Sequence, residues 1–208
     1  MRLAALALTA VLLVLFTAGS TLAKTTGCVH DKPCHGTGAD DHIKGTDGND
    51  EILARDGRDF VNARAGSDVV RGGSGADGDE YVAGGLFGDS PGMSTNSGRD
   101  GNDMVFGGDG RDTLYGFGGS DFLVGGGKAD YIFAEEFRVR MGRGGIAKSK
   151  NPGIDTVSGG MGGDHIEAVD GRMDIIDCGG GKDAVWFDEG LDVVLPGCEL
   201  ENIIHGGG

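Results

Sequence analysis

Aromatic residues, prolines and positive charges are scarce in this chain of 208 residues. Aromatics make up 6% of it, there are 4 prolines, and 18 Lys and Arg stand against 33 Asp and Glu, for a formal net charge of -15. So few large apolar rings do not suit a conventional large hydrophobic core. The acidic balance disfavours binding to nucleic acid, because like charges repel. The partner that we expect for such a surface is a cation.

Long hydrophobic runs are confined to the first residues of the chain. Residues 1–23, MRLAALALTAVLLVLFTAGSTLA, begin with Arg2, continue as an apolar run to Phe16 and end in small residues that suit cleavage after Ala23. This pattern is typical of a secretory signal peptide. The run is too short to span a bilayer comfortably, and no later segment is as hydrophobic. We therefore predict a secreted, extracellular protein with no transmembrane segment in the mature chain.

Motifs of common hydrolases are missing as well. The sequence holds no H-E-x-x-H zinc-protease motif and no G-x-S-x-G nucleophile elbow. The residues outside the repeats described below are too few to build a substrate pocket. The sequence therefore predicts no enzyme.

Glycine and aspartate, in contrast, recur with a fixed period. In GGDGRDTLYGFGGSDFLVGGGKADYIF, residues 107–133, Asp112, Asp121 and Asp130 lie nine residues apart, and an aliphatic residue follows each of them by two positions. A helix would repeat every three to four residues and a strand every two. The period of nine therefore indicates a repeat architecture.

The same frame extends over most of the chain. An aliphatic residue follows nearly every aspartate by two positions; after Asp77 the rule fails, and we expect a small insertion before Val82 to restore it. Glu201 takes the slot that follows the last aspartate. The aspartates in frame are Asp41, Asp50, Asp59, Asp68, Asp77, Asp103, Asp112, Asp121, Asp130, Asp155, Asp164, Asp183 and Asp192.

The repeat resembles the nonapeptide G-G-x-G-x-D-x-U-x of RTX (hemolysin-type) calcium-binding proteins. Its six-residue core is complete in GGSGAD (72–77), GGDGRD (107–112) and GGMGGD (159–164), and looser in ARDGRD (54–59) and ARAGSD (63–68). The resemblance implies an all-β fold, a right-handed parallel β-roll (a β-solenoid). It also implies several bound Ca²⁺ ions.

The residue types in each turn suit calcium on chemical grounds. Calcium takes six to eight oxygens from carboxylates and main-chain carbonyls, and glycine lets a tight turn aim its carbonyls at one point. In RTX proteins two repeats form one coil, which would stack Asp103 with Asp121 and Asp112 with Asp130. Metal binding would then be coupled to folding. The predicted ligands are the aspartates in frame, with Gly107, Gly110, Gly116 and Gly118 from the two best turns.

A second interpretation of the aspartates stays open. Each could hydrogen-bond only its own turn, in a solenoid that needs no metal. Ala54-Arg55 and Ala63-Arg64, which replace paired glycines, and Lys128, which replaces a third glycine, weaken the case for calcium in their turns.

Cysteines are few and bracket the repeats. In an exported chain they are expected to be paired, and we predict Cys28–Cys34 and Cys178–Cys198 because each pair encloses one end of the repeat region. A zinc site made of the first pair with His30 and His35 is the alternative.

These features predict the organisation of the chain and its role. A signal peptide (1–23) precedes a disulfide cap (24–35), a roll (36–204) with loops at 84–97 and 134–150, and a tail (205–208). The basic loop 134–150 suits a cell-surface or polysaccharide partner, or is a solvated loop. The predicted function is extracellular calcium binding; the alternative is a structural or adhesive protein that calcium only stiffens.

Overall fold

A computed structural model describes residues 25–29, 31–78, 86–88, 101–134 and 152–199, and its secondary structure there is all β. Within these ranges no helix is long and apolar enough to cross a membrane. The strands in chain order are β1 (Thr25–Gly27), β2 (Cys34–His35), β3 (His42–Lys44), β4 (Glu51–Asp56), β5 (Phe60–Asn62), β6 (Val69–Ser74), β7 (Leu86–Phe87), β8 (Met104–Asp109), β9 (Thr113–Tyr115), β10 (Phe122–Gly127), β11 (Tyr131–Phe133), β12 (Thr156–Gly162), β13 (His165–Ala168), β14 (Ile175–Asp177), β15 (Gly180–Gly181), β16 (Ala184–Phe187) and β17 (Val193–Val194).

The strands form two parallel sheets that the chain visits in turn. The first sheet has the order β1-β3-β5-β7-β9-β11-β13-β16, and the second β2-β4-β6-β8-β10-β12-β14-β17, with β15 paired to β12. Up to β14, successive strands alternate between the sheets, so each coil contributes one strand to each. The predicted all-β parallel β-roll is confirmed.

One aliphatic residue per strand builds the core between the sheets. In the second sheet Leu123 pairs in register with Val105 on one side and Val157 on the other, and all three are at most 1% exposed. Their neighbours along each strand point to the outer face, because side chains alternate in a strand. Burying one such side chain stabilises the fold by about 1.5–3 kcal/mol.

The glycine positions of the repeat make the turns between the strands. In GGSGAD, Gly73 and Gly75 have φ of 117° and 137°, a region that side chains disfavour. Arg55, Arg64 and Lys128 occupy positive φ as well, at 89°, 86° and 74°. The turns that depart from paired glycine therefore keep the same backbone path.

The region predicted as a loop at 84–97 contains strand β7, so that prediction was wrong at Leu86 and Phe87. Leu86 is fully buried and lies in register between Val61 and Leu114. It fills the aliphatic position that we had assigned to Val82. The sheet requires a buried aliphatic residue at this position, and the sequence supplies one nine residues after Asp77 instead of two.

The second predicted loop and the chain ends fall largely outside the described residues. Ala134 is buried and exchanges main-chain hydrogen bonds with the neighbouring coils, through Phe117 on one side and Glu167 on the other, so it belongs to the roll. Residues 135–150, the predicted signal peptide 1–23 and the tail 205–208 lie outside the described part.

Disulfides close both ends of the roll as predicted. Cys28 pairs with Cys34 and Cys178 with Cys198, with a Cα–Cα distance of 5.3 Å in each pair. Cys34 and Cys178 are buried at the two ends of the aliphatic core. Because Cys28 and Cys34 are bonded to each other, their sulfurs are not available as zinc-binding thiolates.

The thin core makes each inward aliphatic costly to lose. We expect Leu123→Ala to lower the free energy of unfolding by about 2–5 kcal/mol, because it leaves a cavity that Val105 and Val157 on the adjacent strands cannot fill. The matched control is Phe122→Ala, next along the strand, where the larger side chain is 37% exposed and outward. Urea unfolding in calcium measures both; an equal loss for the two variants would contradict the assigned inward face.

Candidate metal centre

The aspartates of the repeat stack in two columns along the turns of the roll. In each column the main-chain N–H of one aspartate donates to Oδ1 of the aspartate one coil further on, at 2.8–2.9 Å. The first column is Asp41, Asp59, Asp77, Asp112, Asp130, Asp164 and Asp183. The second column is Asp50, Asp68, Asp103, Asp121, Asp155, Asp174 and Asp192.

The structure brings together every aspartate that the sequence placed in frame, and adds one. Asp174 lies 19 residues after Asp155, one more than two repeats, and nine residues before Asp183, so it begins the shifted frame that was recognised only from Asp183. Its signal was Ile176, which keeps the aliphatic residue two positions after the acid. The first column ends on Glu199, whose Oε2 accepts the Asp183 N–H at 2.8 Å. Glu201, expected in that role, lies outside the described residues.

The columns bury their carboxylates in the turns. Apart from Asp192, each aspartate of the two columns is at most 4% exposed. While Oδ1 receives the hydrogen bond from the neighbouring coil, the other oxygen often has none. Oδ2 is buried without a hydrogen-bond partner in Asp59, Asp68, Asp77, Asp112, Asp130, Asp164, Asp174 and Asp183. Burying a carboxylate in this way is unfavourable unless a cation or a proton neutralises it.

Burial raises the pKa of seven of these carboxyl groups above the usual value for aspartate. Desolvation is the largest cause, main-chain hydrogen bonds oppose it, and neighbouring carboxylates in the column add to it. The pKa rises to about 8 for Asp68, Asp130 and Asp174, to about 7 for Asp77, and to about 6 for Asp59 and Asp112. Without a cation, Asp68, Asp130 and Asp174 therefore favour the protonated form in the folded chain near neutral pH.

Main-chain carbonyls converge on the same points as the Oδ2 atoms of the column aspartates. A Cβ placed on Gly107 would lie 2.5 Å from Oδ2 of Asp112 and 2.5 Å from the carbonyl oxygen of Gly125, one coil on. Gly116 is enclosed in the same way by Oδ2 of Asp121 and the carbonyl of Ala134. Each such glycine thus leaves room for two oxygens from different coils, as a calcium site requires.

The remaining glycines predicted as ligands lie in the same two turns. A Cβ on Gly110 would meet the Gly75 carbonyl of the preceding coil and Oδ1 of Asp112. Gly118 is buried in the turn between β9 and β10. Gly107, Gly110 and Gly116 therefore border the columns, and the role of all four glycines as ligands stays a prediction.

The donor set fits calcium better than zinc. In the described ranges, no three His, Cys, Asp or Glu side chains gather to hold a metal ion. A site in these turns would therefore take much of its coordination from main-chain oxygens. Calcium accepts carbonyl oxygens readily, whereas zinc prefers the nitrogen and sulfur of His and Cys.

The raised pKa values predict how the calcium-free fold responds to pH. Because the folded-state pKa values of about 6–8 exceed the unfolded value of 3.8, the folded state holds extra protons between pH 4 and 8. In chelator, the fold should be most stable near pH 4 and lose stability as pH rises, so that the chain is disordered at neutral pH and above. Far-UV circular dichroism in chelator at pH 4 and pH 8 tests this, and more β structure at pH 8 than at pH 4 would show that the carboxylates are satisfied without a cation.

Comparison with known proteins assigns the repeats to a family. The model of the RTX calcium-binding nonapeptide repeat matches four copies, at residues 35–70, 45–79, 56–90 and 97–134. Comparison with curated proteins gave no match, and neither did comparison with solved structures. The matched copies contain the stacked aspartates from Asp41 to Asp130 and both glycine turns described above. Residues 35–90 and 97–134, a little under half of the chain, therefore match the RTX calcium-binding nonapeptide repeat.

Proposed function

We propose that the protein is an extracellular calcium-binding β-roll whose folding is coupled to calcium. The observation that carries the proposal is the pair of columns in which buried carboxylates stack on one another, eight of them with Oδ2 unsatisfied. RTX calcium-binding repeats cover residues 35–134 apart from a short gap, which supports calcium as the cation.

Charge repulsion makes the fold dependent on a cation. Stacked coils lie ~4.8 Å apart, and two carboxylates at that distance repel by roughly 1 kcal/mol even at the dielectric of water. Each column holds several such neighbours. Summed over both columns, these repulsion energies are comparable to the free energy of unfolding of a typical domain, about 5–15 kcal/mol. A divalent cation that binds the folded chain alone would reverse this balance.

The proposed ligands follow from the columns. Where Oδ2 of a column aspartate has no hydrogen-bond partner, it would bind the cation together with carbonyl oxygens of the turns, and the Oδ1 atoms would keep the coils in register. In Asp41 and Asp50, Oδ2 already accepts hydrogen bonds from Thr37 and Thr46, so these two are the weakest candidate ligands. Gly107, Gly110, Gly116 and Gly118 would contribute carbonyls in the turns of residues 107–121. Asp174 joins the predicted set because its burial and its unsatisfied oxygen match those of the others.

An extracellular site of action is supported by the covalent structure. All four cysteines are paired, which suits an oxidising compartment. Extracellular calcium sites are often weak, with dissociation constants of about 10⁻⁴–10⁻³ M. We propose a binding role and no catalytic one, in keeping with the missing hydrolase motifs.

A matched pair of variants within one turn tests the proposal. Asp112 is fully buried in the first column, whereas Asp109, three residues earlier, is exposed. We expect Asp112→Asn to raise the calcium concentration at half-saturation at least tenfold, because it removes a ligand charge. Asp109→Asn should shift it less than twofold. Isothermal titration with calcium measures both.

The same variant separates the calcium proposal from the solenoid that needs no metal. If Asp112 only held its turn, Asp112→Asn would leave the affinity for calcium equal to that of Asp109→Asn, and the proposal would fail. If the carboxylate opposes folding without calcium, Asp112→Asn should also stabilise the protein in chelator. Far-UV circular dichroism in chelator, followed as pH is raised from 4 to 8, reads that second effect as β structure kept to a higher pH in the variant.

A further inference from the structure

Two lines of outward side chains run along the second sheet, one on each side of the inward aliphatics, because side chains alternate in a strand. Strands β4, β6, β8, β10, β12, β14 and β17 carry them, and the parallel register keeps each line continuous. The first line is Glu51, Val69, Met104, Phe122, Thr156, Ile175 and Val193. The second line is Leu53, Arg71, Phe106, Val124, Ser158 and Asp177, continued by Leu195, whose N–H donates to the Ile176 carbonyl. We refer to these two lines as the outer face.

The outer face is apolar and open to solvent. Outward rings of the first sheet, such as Tyr115, are at most 7% exposed, whereas large side chains of the outer face are 37–45% exposed. From β8 to β12 neither line carries a charged residue, although the chain has a formal net charge of -15. A contiguous exposed apolar surface of this kind marks an interaction site. Its most exposed members are Met104, Phe122, Ile175, Val193 and Leu195.

Two opposite charges stand at equal distances from β10, the middle strand of the outer face. Arg71 lies on β6, two strands before β10 in the sheet, and Asp177 lies on β14, two strands after it. Both residues are exposed. The Arg71 guanidinium lies over the ring of Phe106, 5.5 Å from its centroid, and 3.5 Å from Glu51. An ion pair as exposed as that with Glu51 is weak and leaves the arginine able to bind a second carboxylate.

This placement makes the outer face complementary to itself. A two-fold axis parallel to β10, midway between two facing copies, lays β6 of one copy on β14 of the other and β10 on β10. That is the isologous contact of a two-fold dimer. Arg71 then meets Asp177 of the second copy, and this contact occurs twice.

The uncharged positions match under the same axis. The large residues of β8 meet small ones of β12, which are Thr156 opposite Met104 and Ser158 opposite Phe106. The side chains of β10 meet their own equivalents near the axis. The other apolar pairs are Leu53 with Leu195 and Val69 with Ile175.

The outer face also has the size that a dimer needs. Seven strands ~4.8 Å apart extend ~34 Å along the roll, and a six-residue strand is ~20 Å long. Two such faces together bury roughly 1,400 Å², and specific protein interfaces typically bury about 1,200–2,000 Å².

We infer that the protein dimerises through the outer face of its second sheet, with β10 at the two-fold axis and a second copy of this chain as the partner. The two sheets pack face to face as in a β-sandwich. The inference requires the folded roll and does not rest on which atoms bind calcium. Its tests therefore use saturating calcium and measure mass, which a change in calcium affinity alone does not alter.

Sedimentation equilibrium of the mature, oxidised protein tests the interface. The wild type should have twice the monomer mass, and Phe122→Ser with Val124→Ser on β10 should raise the dissociation constant at least tenfold. The control Met161→Ser, at a residue that is 75% exposed but lies outside both lines, should change it less than twofold. A wild type that stays monomeric up to roughly 100 μM would overturn the inference, because even a weak specific dimer forms there. A dimer that the β10 variant leaves unchanged would overturn it as well.

Charge reversal tests the register without altering the apolar side chains. Arg71→Asp and Asp177→Arg, each alone, should raise the dissociation constant at least tenfold, because each sets like charges opposite each other twice. An equal mixture of the two variants should recover the dimer to within threefold of the wild type, since their heterodimer restores opposite charges at both contacts. Circular dichroism checks that each variant is folded. A mixture that associates no better than either variant alone would show that Arg71 and Asp177 do not face each other, and would refute the inferred dimer.

Discussion

The hydrogen bond from the main-chain N–H of one aspartate to Oδ1 of the aspartate in the next coil is the contact on which the roll depends. It repeats at 2.8–2.9 Å along both columns and sets the register of every turn. The same contact draws the carboxylates out of water and stacks them one above another. The interaction that defines the fold therefore also creates its electrostatic cost. In the proposed function, a bound cation would remove this electrostatic cost by neutralising the carboxylates.

The apolar core between the two sheets is too small to offset that electrostatic cost by hydrophobic burial. Each coil contributes two inward aliphatics, and many of its remaining residues are glycines and polar turn residues. Each coil contacts mainly the coils before and after it, so stability is the sum of many similar interfaces. The disulfides Cys28–Cys34 and Cys178–Cys198 stabilise the two ends of the roll, where a coil has a neighbour on only one side. Phe87, Tyr115, Phe117 and Phe133 pack together on the outer face of the first sheet and add a second apolar layer there.

The period of nine predicted the fold, both columns and the inward aliphatics, because each coil repeats the same steric requirement. It missed Asp174, the first aspartate after a one-residue shift of the frame, because the shifted frame was recognised only from Asp183. It placed Leu86 in a loop because the aliphatic position is set by the sheet and not by distance from Asp77. The cluster of Phe87, Tyr115, Phe117 and Phe133 was not predicted, because the repeat does not specify the residue type at outward positions and their burial depends on tertiary contacts. The period alone does not show which column aspartates bind calcium. That expectation comes from the preference of calcium for carboxylate and carbonyl oxygens.

Far-UV circular dichroism of the mature, oxidised protein tests the central claim most directly, with calcium added stepwise from chelator at neutral pH and magnesium as the control. If buried, stacked carboxylates oppose folding, the spectrum should be that of a disordered chain in chelator. It should convert to β structure with calcium, and magnesium should not replace it, because its smaller ion demands a stricter octahedral shell. A β spectrum that is the same in chelator and in calcium would contradict the account, and the columns would then be turns that need no metal.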